Sequence, residues 1–284
     1  MRQVTPNFEA PPGFHPIKVV GMHGLTGIKA ELIEPISMKS SEDWRETVNG
    51  LQSWGEVPPP ESVTRLTTEN SERGIVVVIE AEEDWIAEFL PWGSDGLLKA
   101  RSKNAPNGSD VPLGGYSWND RDVIILRRLI SKDENSEDAL VKALQDNDLE
   151  SCQGILGGMG RCLGTFHSSM RNLRELPPDQ KRWNSRNEKI EGLLRAQFIW
   201  RAPYTKEQPC TVSLLDVRVS DFSGDTVRIG PPRLSDALIP HDSEKPAMRD
   251  LASLVHDLSR IYHKVSTKLH LKELRIALIG GWRE

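Results

Sequence analysis

From Ile17 onward, β-branched and polar positions alternate through the segments IKVV, IKAELIEP and ISMK, with Gly or Pro at each break. That period of two predicts strands. The next segment, SSEDWRETVNGLQSWG, changes period. It predicts a short helix capped by Ser40 or Ser41, with acids in its first turn. After the Pro58-Pro59-Pro60 break, VTRLTTE, GIVVVIEA and DWIAEFLP return to strand patterning. Residues 93–117, rich in Gly, Ser, Asn and Pro, are expected to form a surface excursion. Beyond them the chain is expected to turn helical, from DVIILRRLI through SEDALVKALQDND. A long helix then follows from about Asp148. There Leu149, Cys152, Ile155, Leu156, Met159, Leu163 and Phe166 recur at three- and four-residue steps, one buried face. Gly154, Gly157, Gly158, Gly160 and Gly164 interrupt the same helix. Each costs about 1 kcal/mol of helix propensity, so close packing must offset them. Short strand-like runs (TVSLLDVRV, TVRI, RLSDAL) come next, and two helices close the chain, the first opening at Pro246.

With 284 residues, 37% hydrophobic and 27% charged, the chain has material for a sizeable core and no signature of disorder. A formal charge of −5 argues against a general nucleic-acid binder. Cys152, Cys162 and Cys210 form no C-x-x-C pair, which fits a reducing compartment and speaks against a zinc or disulfide framework. The longest apolar run, Ile75–Ile79, is far short of the ~20 residues of a membrane span. A cytoplasmic protein without membrane association is the expectation. His167, His256 and His263 make no metal-spaced cluster, and neither G-x-S-x-G nor H-E-x-x-H occurs. The eight tryptophans are expected to fill cores rather than serve as stacking platforms.

Three segments carry a family resemblance. GMGRCLGTFHSSM (158–170) holds the pattern G-R-x-L-x-x-x-H, Val219-Ser220-Asp221-Phe222-Ser223 resembles an H-G-D-F-H loop, and Arg233–Leu238 resembles an I-D-F motif. Asp250-Leu251-Ala252 follows Asp236 by fourteen residues, like a D-L-A helix start. Together they resemble the aminoglycoside-phosphotransferase and lipopolysaccharide-kinase branch of the kinase-like fold. The resemblance implies an α+β, two-lobed architecture, with a strand-rich N-lobe over 1–92 and a mainly helical C-lobe over 93–284. Phosphoryl transfer needs a carboxylate to orient the acceptor hydroxyl, and oxygen ligands to hold magnesium against the phosphates. By the resemblance Asp221 takes the base position and Asp236 a metal position, with Asp225 as a substitute for the missing Asn. A rival register makes Asp216 the base and puts Asp221 at the Asn position. In the N-lobe, the Gly21, Gly24 and Gly27 spacing resembles a phosphate-cradling loop. Lys39 resembles the strand lysine that contacts phosphates, with Lys29 as a lesser candidate and Glu46 or Glu42 as the ion-pair partner. Asp250 is expected to be structural, bonding backbone at its helix start.

Several positions depart from the family pattern. Val219 and Ser220 stand where it has His and Gly, Thr226 where it has Asn, and Ala237 where it has Phe. The expected function is therefore a pseudokinase, a binding or scaffold module with a protein partner. The alternative is an ATP-dependent phosphotransferase acting on a small-molecule or glycan hydroxyl. ATP and Mg2+ are the implied cofactors, and a small-molecule ligand is a further expected partner.

Overall fold

The structure is a computed structural model that describes residues 2–3, 11–12, 14–20, 25–32, 38–71, 74–90, 102–107, 109–119, 121–129, 136–173, 175–176, 181, 184–185, 188, 191–192, 210–211, 214, 217–224, 226–230 and 245–284. At the N-terminal end, β2 (Phe14–Val20) and β3 (Leu25–Leu32) form an antiparallel hairpin, and β1 (Arg2–Gln3) lies parallel to β3. Helix α1 (Ser41–Val48) starts at Ser40, one of the two expected caps. The Ser40 side chain accepts the Asp43 amide, and the Asp43 carboxylate accepts the amides of Lys39 and Ser40 at 2.8 and 2.9 Å. Those backbone bonds hold the Asp43 carboxyl below its ordinary range.

Six strands make the main sheet: β4 (Gln52–Gly55), β5 (Arg65–Ser71), β6 (Gly74–Glu80), β7 (Trp85–Phe89), β8 (Gly114–Trp118) and β9 (Arg121–Arg128). Their spatial order is β4-β8-β9-β7-β6-β5, antiparallel throughout. One face buries Val77, Ile79, Ala87, Ile124 and Leu126 against Trp44 of α1. Residues 121–128 correct the sequence reading, which had this stretch helical. Val123, Ile124, Ile125 and Leu126 are all buried because β9 is central in the sheet, with Ile125 belonging to the helical core on the other side. A strand buried on both faces shows an unbroken apolar run, which periodicity cannot tell from a helix. The strand-rich section therefore extends to Arg128, past the boundary expected at residue 92.

The remainder is mostly helical. α2 (Ser136–Asp146) meets α3 (Leu149–Leu173) at Asn147, whose φ of 56° turns the chain, and Asp148 caps α3 by accepting the Ser151 amide at 3.0 Å. The predicted apolar face of α3 holds: Cys152, Leu156, Met159, Leu163 and Phe166 are fully buried. Its glycines divide in purpose. Gly160 lies against backbone of α5 (Leu271–Arg283), where an added Cβ would sit 2.3 Å from the Leu278 carbonyl oxygen. Gly157 meets Gly281 of α5 in the same crossing, whereas Gly154 faces open space. Helix α4 (Met248–Tyr262) follows Pro246, as expected, and buries Leu251, Leu254, Leu258 and Ile261. Three short pairs complete the fold: β10 (Glu175–Leu176), β11 (Cys210–Thr211) and β14 (Lys245–Pro246) form one sheet, and β12 (Phe222–Ser223) and β13 (Thr226–Val227) form a hairpin. Of the strand-like run TVSLLDVRV, only Thr211 lies in a strand among the described residues. No helix among the described residues is long and apolar enough to cross a membrane.

Candidate functional site

Asp221 ends a 3-10 turn over Val219–Asp221 and leads straight into β12. Gly224, at φ +52°, closes the hairpin to β13 in a conformation that favours glycine. Val219, Phe222 and Val227 plug the turn into the helical core, each 1% exposed or less. The Asp221 carboxylate is 5% exposed, and Oδ2 accepts the Arg218 amide at 2.9 Å. The Asp221 carbonyl accepts the Arg228 amide at 2.7 Å. This acid is thus built into its own turn as well as placed at the mouth of the hairpin.

Two further acids, both on α4, hold the chain that leads into the turn. Asp257 Oδ2 accepts the Val219 amide at 3.0 Å, while Oδ1 accepts Arg260 Nε at 2.7 Å. Asp250 Oδ2 accepts the Leu214 amide at 2.7 Å and lies 3.0 Å from His167 Nε2. The Trp282 indole, which can only donate, bonds His167 Nδ1 at 3.0 Å. His167 Nδ1 is therefore the acceptor and Nε2 carries the proton, donated to Asp250. Burial pushes the Asp250 carboxyl up, but the His167 and Leu214 hydrogen bonds outweigh it and hold the group below its ordinary value. Asp250 was expected to bond backbone at its own helix start. It reaches to the Leu214 segment, whose amide it accepts. Beside the turn, a groove of about 490 Å³ is lined by Arg218, Arg249, His256 and Arg260, with Asp257 as its acid.

A second cluster joins the sheet to the hairpin. Glu88 on β7 and Arg127 on β9 are 4% and 2% exposed, and Arg127 Nε donates to Glu88 Oε1 at 3.0 Å. Arg127 Nη1 donates to the Asp110 carbonyl and carboxylate at 2.8 and 2.9 Å, and Nη2 donates to the Ile229 carbonyl. Arg228, from the β13 side, donates Nη2 to the same Glu88 oxygen, and its Nε lies 3.7 Å from Asp110 Oδ2. Backbone bonds follow the same seam: the Asp110 amide donates to the Val227 carbonyl, and the Ile229 amide to the Asp110 carbonyl. Two acids and two arginines thereby neutralise one another where one member alone would be costly to bury.

The predicted site residues divide. Gly21, Gly24, Asp216, Asp225 and Asp236 lie outside the described residues. Gly27 is not in a loop: it is a strand residue of β3, paired with Val19. Lys39 is not on a strand. It is exposed, directly before the Ser40 cap, because its amide is committed to Asp43. Glu46 is exposed on α1, and no ion pair joins Lys39 to Glu46 or to Glu42, which pairs with Arg45 at 3.2 Å. Among the described residues no group of three His, Cys, Asp or Glu side chains is placed to hold a metal. In protein kinases the phosphate-contacting lysine stands on the third strand of the sheet. The third strand of the β5–β6–β7 meander here carries Glu88. The sequence did hold a signal for this: an acid inside W-I-A-E-F-L and an arginine ending V-I-I-L-R, charges within apolar runs.

An antiparallel sheet followed by a helical section around a core helix is the architecture of a kinase-like protein, and the comparisons agree. Neither a family model nor a curated protein matches the chain. Solved structures do. A glucosamine kinase (crystal form B) aligns with a TM-score of 0.59 at 10% identity, over 96% of this chain and 79% of that one. Its crystal form A gives 0.60 at 8%, over 96% and 78%. A glucosamine kinase in complex with glucosamine, ADP and inorganic phosphate gives 0.58 at 10%, over 99% and 82%. The fold is kinase-like.

Proposed function

We propose that this chain is an ATP-dependent phosphotransferase acting on a hydroxyl of a sugar-sized acceptor. The observation that carries the reading is the fold likeness over 99% of the chain to a glucosamine kinase whose structure contains glucosamine, ADP and inorganic phosphate. In this reading the two-lobed arrangement is retained, and the acceptor hydroxyl is oriented by Asp221, or by Asp216 in the rival register. Asp236 and Asp225 hold magnesium, which when bound neutralises charge on the phosphates. The clamps from Asp250 and Asp257 hold the backbone at Leu214 and at Val219, the start of the turn that presents Asp221, which suits a reaction that depends on positioning. The aminoglycoside-phosphotransferase branch is the finer assignment we favour.

A second reading is supported by Glu88. An acid on the third strand of the meander, locked to two arginines, is the kind of replacement that ends nucleotide turnover and leaves a pseudokinase binding a protein partner. One experiment separates the two. Release of ADP from Mg·ATP is followed in a coupled assay with and without amino sugars and neutral hexoses, alongside thermal-shift titrations of ATP. Acceptor-dependent ADP release that is lost in D221N supports the enzyme. Stabilisation by ATP without any turnover supports the binding module. A protein that neither turns over nor responds to nucleotide refutes the phosphotransferase reading.

A further inference from the structure

Glu88 cannot itself contact a phosphate, since like charges repel. What it does is hold two arginines that differ in how much of them is spent. Arg127 is 2% exposed, and Nε, Nη1 and Nη2 all donate to oxygens of Glu88, Asp110 and Ile229, so it is a structural cross-link. The Arg228 side chain is 35% exposed. Its Nη2 is on Glu88, while Nε, 3.7 Å from Asp110 Oδ2, and Nη1 make no hydrogen bond among the described residues. Its backbone amide is bonded to the Asp221 carbonyl, so the guanidinium departs from the same turn that presents the candidate acceptor-side acid.

We propose that Arg228 is the cation that contacts the nucleotide phosphates, its charge supplied from the hairpin because strand β7 carries Glu88. The proposal rests on the phosphotransferase reading and names the phosphate contact within it. A guanidinium is suited to this division of labour. Its planar fork can spend one edge on carboxylates and offer another to phosphate oxygens, which the point charge of a lysine cannot do. Anchoring by Glu88 and Asp110 also fixes the rotamer before a ligand arrives, which lowers the entropy lost on binding. With Arg127 and Arg228 offsetting Glu88 and Asp110, no excess acid in the cluster opposes an approaching phosphate.

The test is isothermal titration of the full chain with ADP and with adenosine, for wild type, R228A, R228K and the paired variant E88Q/R228Q. Wild type should favour ADP over adenosine. R228A should weaken ADP by about tenfold to a hundredfold, as for a lost hydrogen bond to a charged group, and leave adenosine unchanged. R228K should recover part of the preference. Where R228A fails to fold, E88Q/R228Q removes the anchor and the cation together and should show the same levelling of ADP to adenosine. An undiminished ADP preference in either folded variant overturns the proposal and leaves the phosphotransferase reading standing. A wild type that binds no ADP, or binds ADP and adenosine alike, overturns the proposal; absence of nucleotide binding in any form takes the phosphotransferase reading with it.

Discussion

Replacing Gly154 and Gly160 by alanine, one at a time, sets two opposing effects against each other within α3. Both residues are helical, so each alanine gains about 1 kcal/mol in propensity. At Gly154 the new Cβ meets nothing within 4 Å, and the gain should appear undiminished. At Gly160 it would lie 2.3 Å from the Leu278 oxygen, 2.7 Å from the Trp282 nitrogen and 3.0 Å from the Gly281 carbonyl carbon. All three are backbone atoms, so no side chain can rotate aside. The two helices must separate by about 1 Å to reach ordinary contact distance, loosening packing on both sides. Overpacking of this kind costs about 1–3 kcal/mol. The separation also stretches the 3.0 Å bond from Trp282 to His167, a loss of about 1 kcal/mol. G160A should therefore be less stable than wild type by about 1–3 kcal/mol, and less stable than G154A by about 2–4. Urea unfolding followed by far-ultraviolet circular dichroism measures both. If G160A proves as stable as G154A, the α3–α5 crossing is wider than described and the reasoning fails.

Leu156→Ala and Phe166→Ala, both at fully buried sites, should each cost about 2–5 kcal/mol in the same assay; a loss below about 1 kcal/mol would show that this face of α3 is not packed. The Asp250 carboxyl is held below its ordinary value in the folded chain, so its contribution to stability is present above the unfolded value near 3.9 and is lost as pH falls through the folded one. D250N should accordingly be less stable at neutral pH and lose less stability on acidification below about pH 4 than wild type does; parallel acid limbs for the two proteins would contradict the assignment.

What could be read from the chain beforehand follows from how far apart the interacting residues lie. The core face of α3 was visible because Leu156, Met159, Leu163 and Phe166 repeat within one element. So was the α1 cap, since Ser40 and Asp43 are three residues apart. Strand β9 was misread because burial on both faces erases the alternation that marks a strand. Lys39 misled for a related reason: Ser40 and Asp43 fix the chain there as a helix entrance, whatever residue precedes the cap. The Glu88–Arg127 pair spans 39 positions and Arg127–Ile229 spans 102, so no local spacing announces either. Tertiary structure alone brings them together, and the same holds for Leu214 with Asp250. The acids read as metal ligands, Asp225 and Asp236, lie outside the described residues.

The clamps from α4 also constrain how the chain can acquire its shape during synthesis. Leu214 and Val219 leave the ribosome before Asp250 and Asp257, their respective partners. At ordinary elongation rates, the 38 residues between Val219 and Asp257 take on the order of a few seconds to appear. For that interval the segment bearing Asp221 lacks the Asp250 and Asp257 carboxylates, and the Val219 and Leu214 amides stay with water. A nascent chain stalled before α4 would therefore hold the sheet strands and the α3 residues beside an unset turn. The candidate site is then among the later features to mature, set by a helix that contributes none of the proposed reacting groups.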